Sequence, residues 1–306
     1  GGRTVHESYV IQSENLTKFY GKHLGIEDID LGVREGEIFG FLGPNGAGKT
    51  TTIRILLDML RPTSGSAKIF GMDAQVSSIA IRKRLGNLPG EVALYDSLKG
   101  HELLNLLGNF RGGNGTKRLK SLAERFDLDL TRTIREYSKG MKQKLAIIQC
   151  FMHDPELFLL DEPTSGLDPL MQREFYGLLK EEQDRGKTVF LSSHLLDEVE
   201  RLCDRVGIVK EGRLVMNEQL SVLKSRKVRK LNLRFSEDAV IDDLTLPGAE
   251  LIYQQRGEAE FIVTGEIRAL LEAVAVLPIQ DLSFPEPTLE EAFMEFYESP
   301  SEEGMR

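Results

Sequence analysis

"IFGFLGPNGAGKTTTIRILLDML", residues 38–60, carries three structural signals in succession. Ile38 to Leu42 form a short apolar run of the kind a buried strand needs. Glycines dominate the next six residues. Then Ile53, Leu56, Leu57 and Leu60 recur at the three- and four-residue spacing of one helix face. Strand, glycine loop and helix in that order predict an α/β fold. The stretch Gly43–Thr50 also fits G-x-x-x-x-G-K-[ST]. Gly43, Gly46 and Gly48 let backbone N–H groups turn inward around phosphates without a Cβ in the way, and the helix start adds positive potential. Lys49 supplies a cation for β and γ phosphates, and the Thr50 hydroxyl is a ligand suited to Mg²⁺.

A phosphate loop that does work needs a carboxylate for the metal and a group to activate water. "ELFLLDEPTSGLDP", residues 156–169, offers both. Leu157 to Leu160 is a continuous apolar run, expected of a strand buried on both faces. It ends on Asp161, suited to Mg²⁺, and Glu162, placed to take a proton from attacking water.

Composition sets the outer bounds. The chain has 306 residues, of which 41 % are hydrophobic, enough for two domains with cores of their own. No apolar run approaches the ~18 residues of a membrane-spanning helix, so a soluble chain is expected. The polar N-terminal stretch shows no secretory signal. Cys150 and Cys203 have no metal-like spacing and sit in apolar-periodic segments, which predicts buried free thiols. The net charge of −9 is uneven: from Leu231 onward there are 4 basic and 17 acidic residues, against 35 and 31 before it. That shift marks a domain boundary. The basic stretch "KSRKVRK", residues 224–230, has no aromatic residues among its charges, so it reads as a solvated linker and no nucleic-acid partner is expected. Three regions follow: 1–222, a linker over 223–230, and 231–306.

The two chemical stretches and three others, in this order, resemble the nucleotide-binding domain of ABC transporters. The resemblance covers about residues 11–222. Walker A is "GPNGAGKT", and Walker B with its glutamate is "LFLLDE". "SGLD", ending at Asp168, matches the D-loop, and His194 in "FLSSHLLDEVE" matches the switch histidine. "EYSKGMKQKL", residues 136–145, matches the signature loop; it keeps Ser138 and Gly140 but departs at Tyr137, Lys139 and Met141, as members exporting drugs, polysaccharides or lipids do.

The resemblance implies an α/β P-loop NTPase (RecA-like) core, an antiparallel β-subdomain, and a helical subdomain over about 91–150. It implies that ATP and Mg²⁺ are bound through Gly43, Pro44, Asn45, Gly46, Ala47, Gly48, Lys49, Thr50 and Thr51, with Asp161 on the metal. Catalysis would fall to Glu162, His194 and Lys49. Tyr20 occupies the place of the ring that stacks on adenine, although strand alternation also admits Phe19 as its inward neighbour. Two chains would form a homodimer through shared ATP sites, with Ser138, Gly140 and Asp168 reaching the partner's nucleotide in trans. The helix after this loop is expected to start near Lys142, with Leu145, Ile148 and Gln149 on a half-buried face. By itself Ser138 also reads as an ordinary helix N-cap with the nearby lysines in water.

The implied protein is the ATPase of an exporter. It lies on the cytoplasmic face of the membrane and drives a separately encoded membrane-spanning permease. A non-transport ATPase of the family, acting on nucleic acid or ribosomes, is the rival reading. Only 87 residues separate Thr50 from Ser138, too few for the long coiled coil of DNA-repair members, and there is one cassette where translation factors carry two. The family's usual glutamine, often in L-P-Q, is replaced at Gly90, followed by Glu91. Either Glu91 takes its part or water completes the metal shell. Beyond the boundary, "VRKLNLRF", a hairpin about Arg256-Gly257, a helix in "GEIRALLEAVAVL", a strand in "QDLSF" and a Thr288-x-x-Glu291 capping box predict a small α+β domain.

Overall fold

The apolar run Ile38–Leu42 is a strand with all five residues buried, as expected where both faces are covered. It is β3 of a computed structural model that describes residues 8–110, 116–225, 229–236, 244–255 and 257–285. Before it, β1 (Tyr9–Tyr20) and β2 (His23–Arg34) form an antiparallel pair. After it come helix α1 (Lys49–Leu56), strands β4 (Ser64–Ile69) and β5 (Met72–Asp73), helix α2 (Ser78–Lys83) and strand β6 (Leu85–Leu88). A helical stretch follows: α3 (Gly100–Phe110), α4 (Thr116–Arg125) and α5 (Lys139–Phe151). The chain then alternates through β7 (Leu157–Asp161), α6 (Pro169–Asp184), β8 (Thr188–Ser193), α7 (Leu196–Leu202) and β9 (Arg205–Lys210), ending in β10 (Arg213–Gln219) and α8 (Leu220–Ser225).

Two sheets carry this first unit. One is antiparallel, in the order β2-β1-β4-β5. The other runs β10-β9-β3-β8-β7-β6 and is parallel from β9 to β6. A core made of Ile11, Ile29, Phe39, Ile53, Leu159 and Phe190 joins the antiparallel sheet, α1 and one face of the parallel sheet. On the opposite side Phe158 stacks on Phe151 of α5 at 4.3 Å, and Phe151 meets Phe175 of α6 edge-on at 6.1 Å. Strand β7 therefore packs on both faces, which explains its unbroken apolar run. Helix α4 is tied to α6 by Arg118 to Glu182 (2.6 Å) and by Arg125 to Glu181 (2.7 Å). Both cysteines are buried and free, and burial pushes the Cys203 thiol well above its ordinary value.

The chain divides between Leu220 and Ser221, so α8 after its first residue falls in the second unit. The basic stretch expected to be a linker carries secondary structure at both ends: α8 runs to Ser225, and the next strand opens at Arg229. The second unit contains β11 (Arg229–Phe235), β12 (Ala249–Gln255), β13 (Glu258–Val263), α9 (Ile267–Val274) and β14 (Ile279–Ser283). Its sheet is antiparallel, in the order β12-β13-β11-β14. Leu231, Leu233, Phe235, Phe261, Leu270 and Val274 form its core, so the second domain is α+β. The hairpin turns through Gly257 at φ +88°, with Arg256 outside the described residues. The capping box Thr288–Glu291 also lies outside them.

Phe190 is fully buried on β8, stacked on Phe39 at 5.7 Å and tilted against Phe41 at 5.3 Å. Phe190→Ala should destabilise the first unit by about 3–5 kcal/mol, because the strands on either side cannot close over the lost ring. Urea unfolding followed by circular dichroism checks this, and a midpoint within error of wild type would contradict it.

Candidate functional site

Strand β8 lies between β3 and β7, and the three are parallel, so their C-terminal ends emerge at one edge. The register pairs Leu42 with Ser193 and Asp161 with Ser192. The loop after β3, the acids ending β7 and the Ser192–His194 turn after β8 are thereby brought together. Such an edge is where open α/β sheets place ligands.

The loop is built as the spacing predicts. Gly48 takes φ +108° before α1, and a Cβ there would fall 2.8 Å from the carbonyl oxygen of Gly25, so only glycine fits. Ala47 N–H donates to Pro44 O at 3.2 Å, tightening the turn around Asn45 and Gly46. Lys49 is 5 % exposed, and its ammonium donates to Gly43 O (2.7 Å) and Pro44 O (3.0 Å) across the loop. The free N–H groups at the start of α1 add positive potential.

The two carboxylates have different surroundings. Thr50 Oγ1 donates to Asp161 Oδ2 at 2.8 Å, while Asp161 Oδ1 receives the hydroxyl of Ser192. Glu162 sits in the left-handed region at φ +46°, and its N–H donates to the carbonyl and hydroxyl oxygens of Ser192, both at 3.1 Å. Its carboxylate lies between Lys49 Nζ at 3.5 Å and His194 Nδ1 at 3.1 Å. Sequence reasoning named these three residues but not their mutual contact. The oxygens of Thr50 and Asp161 suit a small hard cation. Among the described residues no three His, Cys, Asp or Glu side chains converge as a cage, and a cation held by Thr50 and Asp161 has room for phosphate or water oxygens in its shell.

The turn bearing His194 rests on groups that sequence reasoning missed. Ser193 Oγ accepts the Leu195 N–H at 2.9 Å and donates to Glu198 Oε2 at 2.6 Å. Glu198 is 3 % exposed, and burial raises its carboxyl above the ordinary value against the pull of hydrogen bonds from Ser193 and Thr164. Hydroxyls and an acid where an apolar strand-and-helix pattern would continue were the available signal.

Helix α5 starts at Lys139, three residues earlier than expected, because Ser138 caps it by accepting Met141 N–H at 3.2 Å. Its buried surface includes Gln143, Leu145, Ala146, Ile147, Ile148 and Cys150, broader than a half-buried face. Gln143 Nε2 donates to Pro163 O at 2.7 Å, and a Cβ on Gly140 would stand 2.9 Å from Gly166 O. The start of α5 is thus seated against the segment leaving β7. Asp168 caps α6, accepting Leu170 N–H and Met171 N–H at 3.0 Å each. A cavity is lined by Asn45, Thr50, Glu91, Asp161 and Glu162; Lys49 and His194, which flank Glu162, are outside its walls, as are Ser138, Gly140 and Asp168.

Alternation at Tyr20 does not hold. Bulges at Lys18 and Phe19 break the β1 register, and Phe19 and Tyr20 are 38 % and 45 % exposed. Tyr20 lies across Gly25 and its hydroxyl reaches Thr51 Oγ1 at 3.3 Å, next to the phosphate loop. Gly90 borders the same cavity, where a Cβ would lie 3.2 Å from Asp161 Oδ2.

The family profile described as ABC transporter matches residues 26–165, from β2 to the segment after Glu162. The chain is 38 % identical over 236 residues to the bacitracin transport ATP-binding protein BcrA of Bacillus licheniformis, covering 75 % of this chain and 76 % of that one. It is 33 % identical over 300 residues to the daunorubicin resistance ATP-binding protein DrrA3 of Streptomyces coeruleorubidus, covering 93 % and 94 %, so that similarity includes the second unit. A solved structure described as the dimeric structure of MJ0796, a bacterial ABC transporter cassette, matches at a TM-score of 0.64 and 25 % identity, over 69 % of this chain and 98 % of that one. With an edge that gathers a phosphate loop, two carboxylates and a histidine, the chain belongs to the ABC transporter family, as one of its ATP-binding, ATP-hydrolysing subunits.

Proposed function

We propose that two copies of this chain bind ATP between them and that closing and reopening this homodimer drives a separately encoded membrane permease. One observation carries the reading: the phosphate loop, Asp161, Glu162 and His194 gather at one sheet edge, where Lys49 and His194 both meet the Glu162 carboxylate, while the described contacts of Ser138 and Asp168 are caps on their own helices. Ser138 caps α5 with a neutral hydroxyl, and the dipole of that helix start favours an anion. A second copy facing the first head to tail supplies that helix start, with Ser138 and the Gly140 backbone, to the γ-phosphate and brings Asp168 to the same interface. A solved cassette of similar fold is described as dimeric, which supports pairing of two copies.

Within one copy the chemistry divides as follows. Phosphates arriving at the loop draw the Lys49 ammonium away from Glu162, since two anionic oxygens outbid one carboxylate at 3.5 Å. Glu162, still held by His194, is then available to take a proton from water. Thr50 and Asp161 would hold Mg²⁺, which supplies neutralisation of charge developing on the β and γ phosphates. Tyr20 carries the adenine. No helix of the described residues is long and apolar enough to cross a membrane. The permease and the place on the cytoplasmic face are part of this reading, which the relatives named for transport and drug resistance support. Export follows from the relatives: one is named for transport of bacitracin and another for daunorubicin resistance.

Three outcomes test this. Glu162→Gln keeps shape and removes the base, so hydrolysis should fall ~10²-fold or more while ATP still binds and an ATP-bound dimer accumulates on size exclusion. Full hydrolysis by that variant would remove Glu162 from the mechanism. Mixing Ser138→Arg chains with Lys49→Ala chains should partly restore activity, because each mixed dimer has one site free of both lesions. Its absence in a verified heterodimer argues against shared sites. Glu91→Ala distinguishes the two accounts of the metal shell beside Gly90. A loss of about tenfold or more in Mg²⁺-dependent turnover assigns Glu91 the part of the missing glutamine, and turnover near wild type assigns it to water.

A further inference from the structure

We propose that Ser192 is a positioning residue for both acids of the ATP site, orienting the Asp161 carboxylate towards the metal and holding the backbone from which the Glu162 side chain projects. The inference rests on the reading of this edge as the ATP site.

Ser192 is fully buried at the end of β8. The strand is otherwise apolar from Val189 to Leu191, and a strand covered on both faces needs no hydroxyl there. The hydroxyl has two uses, and both lie in the site. It accepts the Glu162 N–H at 3.1 Å, so its own proton cannot point that way. The proton goes to Asp161 Oδ1. The hydrogen-bond directions are therefore fixed. Held at Oδ1, the Asp161 carboxylate cannot rotate freely, and Oδ2 stays on the Thr50 hydroxyl at 2.8 Å, where a metal would be ligated. Glu162 needs the support for a different reason. It has a side chain yet stands at φ +46°, a region that L residues adopt only when neighbours hold them, and both oxygens of Ser192 hold its N–H. The parallel register that pairs Asp161 with Ser192 makes this contact possible.

A serine merely filling a buried corner would give the same result as any residue of its size. The test therefore compares side chains with and without the hydroxyl. Ser192→Ala adds no volume, and Ser192→Thr and Ser192→Val are near isosteres that differ in the hydroxyl. Mn²⁺ binding in the presence of a non-hydrolysable ATP analogue, measured by electron paramagnetic resonance, reads the metal site without turnover. Ser192→Ala and Ser192→Val should weaken Mn²⁺ about 10–100-fold, leave analogue binding in EDTA unchanged, and lower kcat for ATP more than they raise KM. Ser192→Thr should stay within about threefold of wild type. Wild-type Mn²⁺ affinity in Ser192→Ala, or equal losses in Thr and Val, would overturn the proposal. A wild-type chain that binds no Mn²⁺ with the analogue would overturn the site reading, and the proposal with it.

Discussion

The parallel register of three strands governs everything else in this chain. Because β8 sits between β3 and β7, with Leu42 beside Ser193 and Ser192 beside Asp161, three loops distant in sequence end at one edge. Shifting β8 by one residue would turn Phe190 out of its stack on Phe39 and turn Ser192 away from Asp161 at once. Core packing and site geometry are thus one constraint. Apolar burial on both faces of the sheet fixes the register, and the register fixes where the hydroxyl, the acids and the histidine stand.

That edge holds a set of polar groups that partner one another. Lys49 and His194 flank the Glu162 carboxylate, and Lys49 also satisfies two loop carbonyls. A buried cation so placed is compensated within the chain, which keeps the folded state tolerable before any anion arrives. It also means that anion binding must rearrange the same contacts that catalysis uses. The start of α5 is seated on the segment between Pro163 and Gly166 through Gln143 and Gly140. Movement of the Glu162 region therefore has a short route to Ser138, the residue proposed to face the partner's nucleotide.

Much of this was legible in the sequence, for local reasons. The phosphate loop is a contiguous spacing, and the two acids end an apolar run, so both could be placed without knowing the sheet. The strands and helix of the second unit announced themselves by alternation and periodicity. What failed depended on contacts that sequence does not order. Tyr20 and Phe19 defeated alternation because bulges in β1 break it. The Ser138 cap, a local reading that the sequence did offer, holds and sets the α5 start at Lys139, ahead of the apolar pattern. Ser192 escaped notice since its partner lies 31 residues away, across a strand pairing. Glu198 escaped because an acid in a short helix normally reads as solvated, and here it is buried against Ser193.

The central claim is that each ATP site is completed by a second copy, and a cross-link tests it directly. Asn45→Cys in the phosphate loop and Met141→Cys after Ser138 would be placed on separate chains; the native Cys150 and Cys203 are 2 % and 8 % exposed and contribute little background. With ATP and without Mg²⁺, a short bifunctional thiol reagent should join the two chains into a covalent dimer, and the yield should collapse when nucleotide is withheld. No covalent dimer with ATP present, or the same yield without it, would contradict the account.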